Sequence, residues 1–106
     1  MRYLLKQIRT DLKRKMVFLG GPRQVGKTTL AKSILEENYP RGRYFNWDFD
    51  DDRQAILARK WLANAGLVVF DELHKHPNWK NWIKGLFDTR TEGINYFITG
   101  SARLDV

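Results

Sequence analysis

The 106-residue chain contains no cysteine, which excludes disulfides and thiolate metal sites. That composition fits a reducing compartment. No secretory signal opens the chain either, because Met1-Arg2-Tyr3-Leu4-Leu5 runs into Lys6 rather than into an apolar core. A cytoplasmic protein is the expectation. No apolar run approaches membrane-spanning length, so no membrane partner is expected. Low-complexity segments, internal repeats and linkers are also missing, and the length allows one domain at most. Acid is scarce early in the chain. Asp11 is the lone carboxylate opposing Arg2, Lys6, Arg9, Lys13, Arg14, Lys15, Arg23, Lys27 and Lys32, and the whole chain carries a net charge of +7. Part of that excess would serve a polyanionic ligand. The rest gives weak support to nucleic acid or an acidic protein as partner.

What the chain does contain is organised around Met16 to Thr29. Met16-Val17-Phe18-Leu19 reads as a short buried strand, broken at Gly20-Gly21. After Lys27 a helical pattern begins with Leu30, Ala31, Ile34 and Leu35 and should run to about Asn38. Between them lies Gly21-x-x-x-x-Gly26-Lys27-Thr28, the spelling of a phosphate-binding loop in its required strand–loop–helix setting. A triphosphate needs many donors in a small concave space. Gly21 and Gly26 let backbone N–H groups approach the phosphates, and the helix points its positive end at the same anion. Pro22, Arg23, Gln24, Val25 and Thr29 complete the cradle, with Arg23 read either as a phosphate contact or as facing solvent or another subunit. Lys27 should reach the β- and γ-phosphates, and the Thr28 hydroxyl should ligate Mg²⁺. The expected ligands are therefore ATP or ADP and Mg²⁺.

Residues 2–14 read as an amphipathic helix, with Leu4, Leu5, Ile8 and Leu12 on one face. Arg2, Lys6, Arg9 and Lys13 form a basic stripe beside it. We read the stripe as a solvated face, with a phosphate-tracking surface as the alternative. Further on, Pro40 and Gly42 mark a turn, and Tyr44-Phe45-Asn46-Trp47 is an aromatic-rich strand. Asp48, Asp50, Asp51 and Asp52 are read as caps for the next helix rather than as a metal site. That helix is expected to carry Ile56, Leu57, Trp61, Leu62 and Ala65, with Gly66 as its stop. Leu67-Val68-Val69-Phe70 has no polar alternation and suits a strand buried on both faces. It ends in Asp71-Glu72, and carboxylates there seldom serve packing. Asn78 can cap a helix whose Trp79, Trp82, Ile83, Leu86 and Phe87 form an apolar stripe, so the tryptophans are read as core. Asn95 to Thr99 is a fourth strand, leading into Gly100-Ser101. Strands alternating with helices predict a parallel α/β sheet, whose ligands sit at the carboxyl ends of the strands. The loop, Asp71-Glu72 and Thr99-Gly100-Ser101 converge there.

Three segments carry a resemblance to a known family: G-P-R-Q-V-G-K-T-T, V-V-F-D-E-L-H-K-H-P-x-W and F-I-T-G-S-A-R-L. Together they resemble the AAA-type P-loop ATPases, in particular a bacterial and archaeal family whose longer members carry a second, C-terminal domain. The resemblance implies a three-layer α/β P-loop fold of the branch with a catalytic glutamate (the ASCE branch), spanning 1–106 with the helix 2–14 included. It implies four parallel strands in the order 2-3-4-1. It also implies that Asp71 is the Walker B acid beside Mg²⁺, that Glu72 polarises the attacking water, and that Ser101, or else Thr99, senses the γ-phosphate. Arg103 is a weakly placed arginine-finger candidate. The family's fifth strand, helical lid and second sensor arginine have no counterpart here, so the chain reads as C-terminally truncated. Met16 to Leu19 would then be an apolar edge strand that invites self-association unless the N-terminal helix covers it. The main alternative to an ATPase is a nucleotide-gated switch that engages nucleic acid or a protein with little turnover. A small-molecule kinase is disfavoured by the Asp71-Glu72 pair.

Overall fold

A computed structural model describes residues 16–20, 26–89 and 93–101. The expected helix 2–14, the loop positions Gly21 to Val25, and Arg103 lie outside the described residues. In chain order the elements are β1 (Val17–Leu19), α1 (Lys27–Asn38), β2 (Arg43–Asn46), α2 (Asp50–Leu57), β3 (Leu67–Asp71), a short 3-10 turn (Leu73–Lys75), α3 (Trp79–Asp88) and β4 (Asn95–Thr99). The strands form one parallel sheet in the order β1-β4-β3-β2. This is the order the family resemblance implies. Among the described residues β1 is an outer strand that pairs with β4 alone.

The apolar run of β3 explains the layering. All of Leu67 to Asp71 is buried. Leu67 and Val69 point to one face, where they join Leu30, Ala31 and Ile34 of α1 and Phe97 of β4. Val68 and Phe70 point to the other, where they meet Phe45, Ile56, Trp79, Ile83, Leu86 and Tyr96. A strand that must be apolar on both sides cannot alternate, which is why its sequence does not. On α3 the buried residues Trp79, Ile83 and Leu86 fall at i, i+4 and i+7, one stripe turned to the sheet. Phe70 sits at the centre of an aromatic cluster. Its ring stacks on Tyr96 at 5.9 Å and on Phe45 at 6.5 Å, and meets the edges of Trp61 and Trp82 at 5.5 Å each. Aromatic pairs of this kind add about 0.5–1.5 kcal/mol each beyond the area they bury. They fix the end of β3 immediately before Asp71.

Three local expectations need correction. The helix expected to reach Ala65 stops at Leu57. Arg59 turns left-handed (φ 53°), the Arg59 N–H donates to Ile56 O and the Lys60 N–H to Ala55 O. These two bonds make a Schellman ending, with arginine where glycine usually stands. Trp61 and Ala65 still pack into the core, but from the connecting loop, whereas Leu57 and Leu62 are exposed. Gly66 therefore leads into β3 instead of closing a helix. Second, the acidic run does not cap α2 through side chains. Phe49 is the N-cap, Asp50, Asp51 and Asp52 fill the first turn where they oppose the dipole, and Asp52 accepts a 2.9 Å bond from the Asn46 N–H. Third, Asn78 occupies the N-cap of α3, but its Oδ1 accepts from Asn81 Nδ2 rather than from the helix backbone.

Candidate functional site

At the carboxyl ends of the strands a cavity of about 310 Å³ is lined by Gly26, Lys27, Thr28, Thr29, Asn46, Asp48, Asp71 and Glu72. The start of α1 forms one wall. Gly26 precedes the helix with φ 70° and ψ 33°, a left-handed conformation that favours glycine and that turns the chain from the loop into α1. Lys27 and Thr28 follow directly, and the Lys27 side chain is buried.

The floor is a set of hydroxyls gathered on one carboxylate. Asp71 is only 4% exposed. Its Oδ2 accepts from Thr28 Oγ1 at 2.6 Å and from the Tyr44 hydroxyl at 2.5 Å, and its Oδ1 accepts from Thr99 Oγ1 at 2.8 Å. Register explains the meeting. Asn46 of β2 and Thr99 of β4 flank Asp71 of β3 in the sheet, while α1 lays Thr28 across the same end. Burial, and secondarily the hydrogen bond to the Asp71 carboxylate, push the Tyr44 phenol well above the usual tyrosine range. It is therefore protonated and acts as the donor. The Lys32 ammonium lies over its ring at 4.8 Å.

Glu72 faces the other side of the cavity and is buried. Its backbone is left-handed, φ 62°, a conformation costing a non-glycine residue about 1–2 kcal/mol. Several bonds hold it there. The Glu72 N–H donates to Thr99 O at 2.8 Å. The Ser101 N–H donates to Oε1 and the Ser101 hydroxyl to Oε2, both at 2.9 Å. His74 Nε2 and Lys75 Nζ each approach Oε2 at 3.5 Å. Lys75 also donates to Asp48 at 2.7 Å, and that bond holds its ammonium above the ordinary lysine value. The His76 ring stacks on Trp47 at 4.7 Å, and burial lowers its affinity for a proton.

Thus Lys27, Thr28, Asp71, Glu72, Thr99 and Ser101 meet at one strand edge. Thr99 and Ser101, both sensor candidates, divide their bonds: Thr99 holds Asp71 and Ser101 holds Glu72. Sequence reasoning missed Tyr44, which reads as one more strand aromatic. Its place two residues before the strand end was the available signal. Among the described residues no group of three or more His, Cys, Asp or Glu is placed to hold a metal by itself. The donor set present nevertheless fits Mg²⁺. A hydroxyl and a carboxylate, both hard oxygens, stand 2.6 Å apart at the cavity floor, and Mg²⁺ characteristically takes one or two protein oxygens and leaves the rest to phosphate and water.

Among the described residues no helix is long and apolar enough to cross a membrane. No curated protein matches the chain. A family model described as an AAA domain matches residues 13–106. The chain therefore belongs to this AAA-domain family and is a nucleotide-binding, ATPase-like module.

Proposed function

We propose that the chain is a Mg²⁺-dependent ATP-binding module that hydrolyses ATP to ADP and phosphate, working in the cytoplasm as a core that spans 1–106. The observation that carries the reading is the pair of carboxylates beside the helix N-terminus, Asp71 bonded to Thr28 and Glu72 bonded to Ser101, both facing one cavity with Lys27. Gly21 to Thr29 would wrap the phosphates, Lys27 would neutralise the β- and γ-oxygens, and Thr28 with Asp71 would hold the cation. Bound Mg²⁺ would withdraw charge from the phosphate oxygens. Attack by water forms one P–O bond and breaks the bond to the β–γ bridging oxygen, so that ADP leaves. Glu72 would orient that water and take its proton. The Thr99 hydroxyl is fully buried and committed to Asp71, which favours Ser101 as the residue that reports the γ-phosphate.

Titration with a fluorescent ATP analogue, with Mg²⁺ and with EDTA, tests the core of this reading. Binding that depends on Lys27 and strengthens with Mg²⁺ supports it, and no saturable binding ends it. Glu72→Gln should retain ATP binding while phosphate release stops; unchanged phosphate release would remove Glu72 from the chemistry.

One observation favours the switch reading as an alternative. Ser101 hydrogen-bonds both Glu72 oxygens, which ties the carboxylate to the end of β4 and reduces its capacity to orient a water. A protein that binds MgATP yet releases phosphate no faster than its Glu72→Gln variant would be a nucleotide-gated switch. The outer position of β1 leaves self-association open to the same experiment run with light scattering.

A further inference from the structure

Tyr44 is the one residue of the Asp71 cluster that reaches it from β2. Its hydroxyl and that of Thr28 converge on the same oxygen, Oδ2, while Thr99 takes Oδ1. An aspartate carboxylate can rotate about its terminal torsion, which has broad wells. Thr99 holds Oδ1, and at Oδ2 Thr28 is the other donor. The phenol, packed through its ring against α1 and under the Lys32 ammonium, supplies a rigid second anchor. With Oδ2 already accepting two hydrogen bonds, its lone pairs are spoken for. A cation arriving beside Thr28 meets a carboxylate already held in one orientation.

We propose that Tyr44 is a positioning residue for the divalent cation: its hydroxyl fixes the Asp71 carboxylate against Thr28 and so sets how tightly Mg²⁺ is held with the nucleotide. This rests on the nucleotide reading above. Groups that orient a metal's ligands without touching the metal typically contribute about 10- to 100-fold in metal affinity. Asp71 keeps two of its hydroxyl partners when Tyr44 is lost, so the lower end of that range applies.

The test separates cation from nucleotide. Binding of a fluorescent ATP analogue is measured in EDTA and then across a MgCl₂ titration, and free Mn²⁺ is counted by electron paramagnetic resonance in a parallel titration. Tyr44→Phe keeps the ring and deletes the donor. It should bind nucleotide in EDTA as wild type does, but require about 10-fold more Mg²⁺, and more Mn²⁺, for half-saturation. Tyr44→Leu should share the cation defect and add a loss of thermal stability. Normal cation affinity in Tyr44→Phe with a defect only in Tyr44→Leu assigns Tyr44 to packing and overturns the proposal. Equal losses with and without cation overturn it too. If wild type binds the analogue but Mg²⁺ changes nothing, this inference fails while the nucleotide reading stands. If wild type binds no nucleotide, both fail. Should Tyr44→Phe not fold, wild type labelled with ¹³Cζ-tyrosine answers the question. The Tyr44 signal, identified with Tyr3→Phe, Tyr39→Phe and Tyr96→Phe, should move on adding Mg²⁺ to the ATP complex, and a stationary signal overturns the proposal.

Discussion

Thr99→Val offers a test of the buried cluster that needs no ligand. Thr99 is wholly inaccessible and its hydroxyl donates to Asp71 Oδ1 at 2.8 Å. Valine has the same shape, so no cavity opens and the volume stays filled. What changes is that a carboxylate oxygen, itself nearly out of reach of water, loses its donor. Hydrogen bonds to charged groups contribute about 1.5–3 kcal/mol, and an acceptor left unpaired in the interior costs at least as much. For a domain of this size a loss of 2 kcal/mol corresponds to roughly 10 °C in melting temperature, or to about 1 M in urea midpoint if the slope is near 2 kcal/mol/M. Thr99→Ser is the control. It keeps the hydroxyl and deletes one methyl, a loss of about 0.8 kcal/mol in transfer terms. The order of stability should be wild type, Ser, Val. Urea denaturation followed by circular dichroism reads it directly. If Val equals wild type, or outlasts Ser, the hydroxyl does not support Asp71 and the cluster is not the organised floor described above.

Two further outcomes can be read in the same assay. Gly42→Ala would bring a Cβ to 2.4 Å from Leu35 Cδ2 and 2.8 Å from the Leu67 carbonyl oxygen; the leucine tip can turn away but the β3 carbonyl cannot, so a loss of about 1–3 kcal/mol is expected and a neutral result would mean the β2 entry is looser than described. Burial makes His76 a weaker base folded than unfolded, so the unfolded chain binds the proton more readily; stability should be complete above the ordinary histidine value of 6.5 and should fall as pH drops through it, a slope that His76→Gln flattens and that an unchanged slope in that variant would contradict.

The strand edge was legible because each of its parts has a local spelling. Two glycines and a lysine at fixed spacing, an apolar run that ends in Asp71-Glu72, and a strand that ends in Thr99-Gly100-Ser101 each mark a strand end within a few residues. Parallel topology then carries all three to one side of the sheet. The Tyr44–Asp71 bond has no such spelling. It exists because β2 pairs with β3 in a register that sets Tyr44 against Val69, two residues short of Asp71, and because a tyrosine is long enough to span the difference. Period-2 alternation tells which face Tyr44 occupies, but not which carboxylate its hydroxyl meets. The division of labour between Thr99 and Ser101 was hidden for the same reason, since it depends on how Glu72 turns, and that turn is left-handed at a residue whose type does not advertise it.

The second helix shows the opposite failure, in which a sound local pattern is overridden. Ile56, Leu57, Trp61, Leu62 and Ala65 repeat as a helix would, and the usual stop, a glycine, comes only at Gly66. The chain instead ends its helix at Leu57 and places Arg59 in the left-handed position of a Schellman turn, with the Lys60 N–H bonded back to Ala55 O. Trp61 can then drop its ring against Phe45, Phe70 and Tyr96, burial that a continued helix would have to forgo. The two backbones give opposite forecasts for one pair of variants. Arg59→Gly and Arg59→Ile both lose the exposed bond from Arg59 Nη1 to Thr89 Oγ1, so that bond cancels in the comparison. In a left-handed turn isoleucine carries a penalty of about 1–2 kcal/mol that glycine escapes. In a helix interior glycine is the poorer residue, by roughly 0.5 kcal/mol. Glycine should therefore prove the more stable variant by at least about 1 kcal/mol in urea denaturation, and isoleucine outranking it would restore the longer helix that the periodicity suggests.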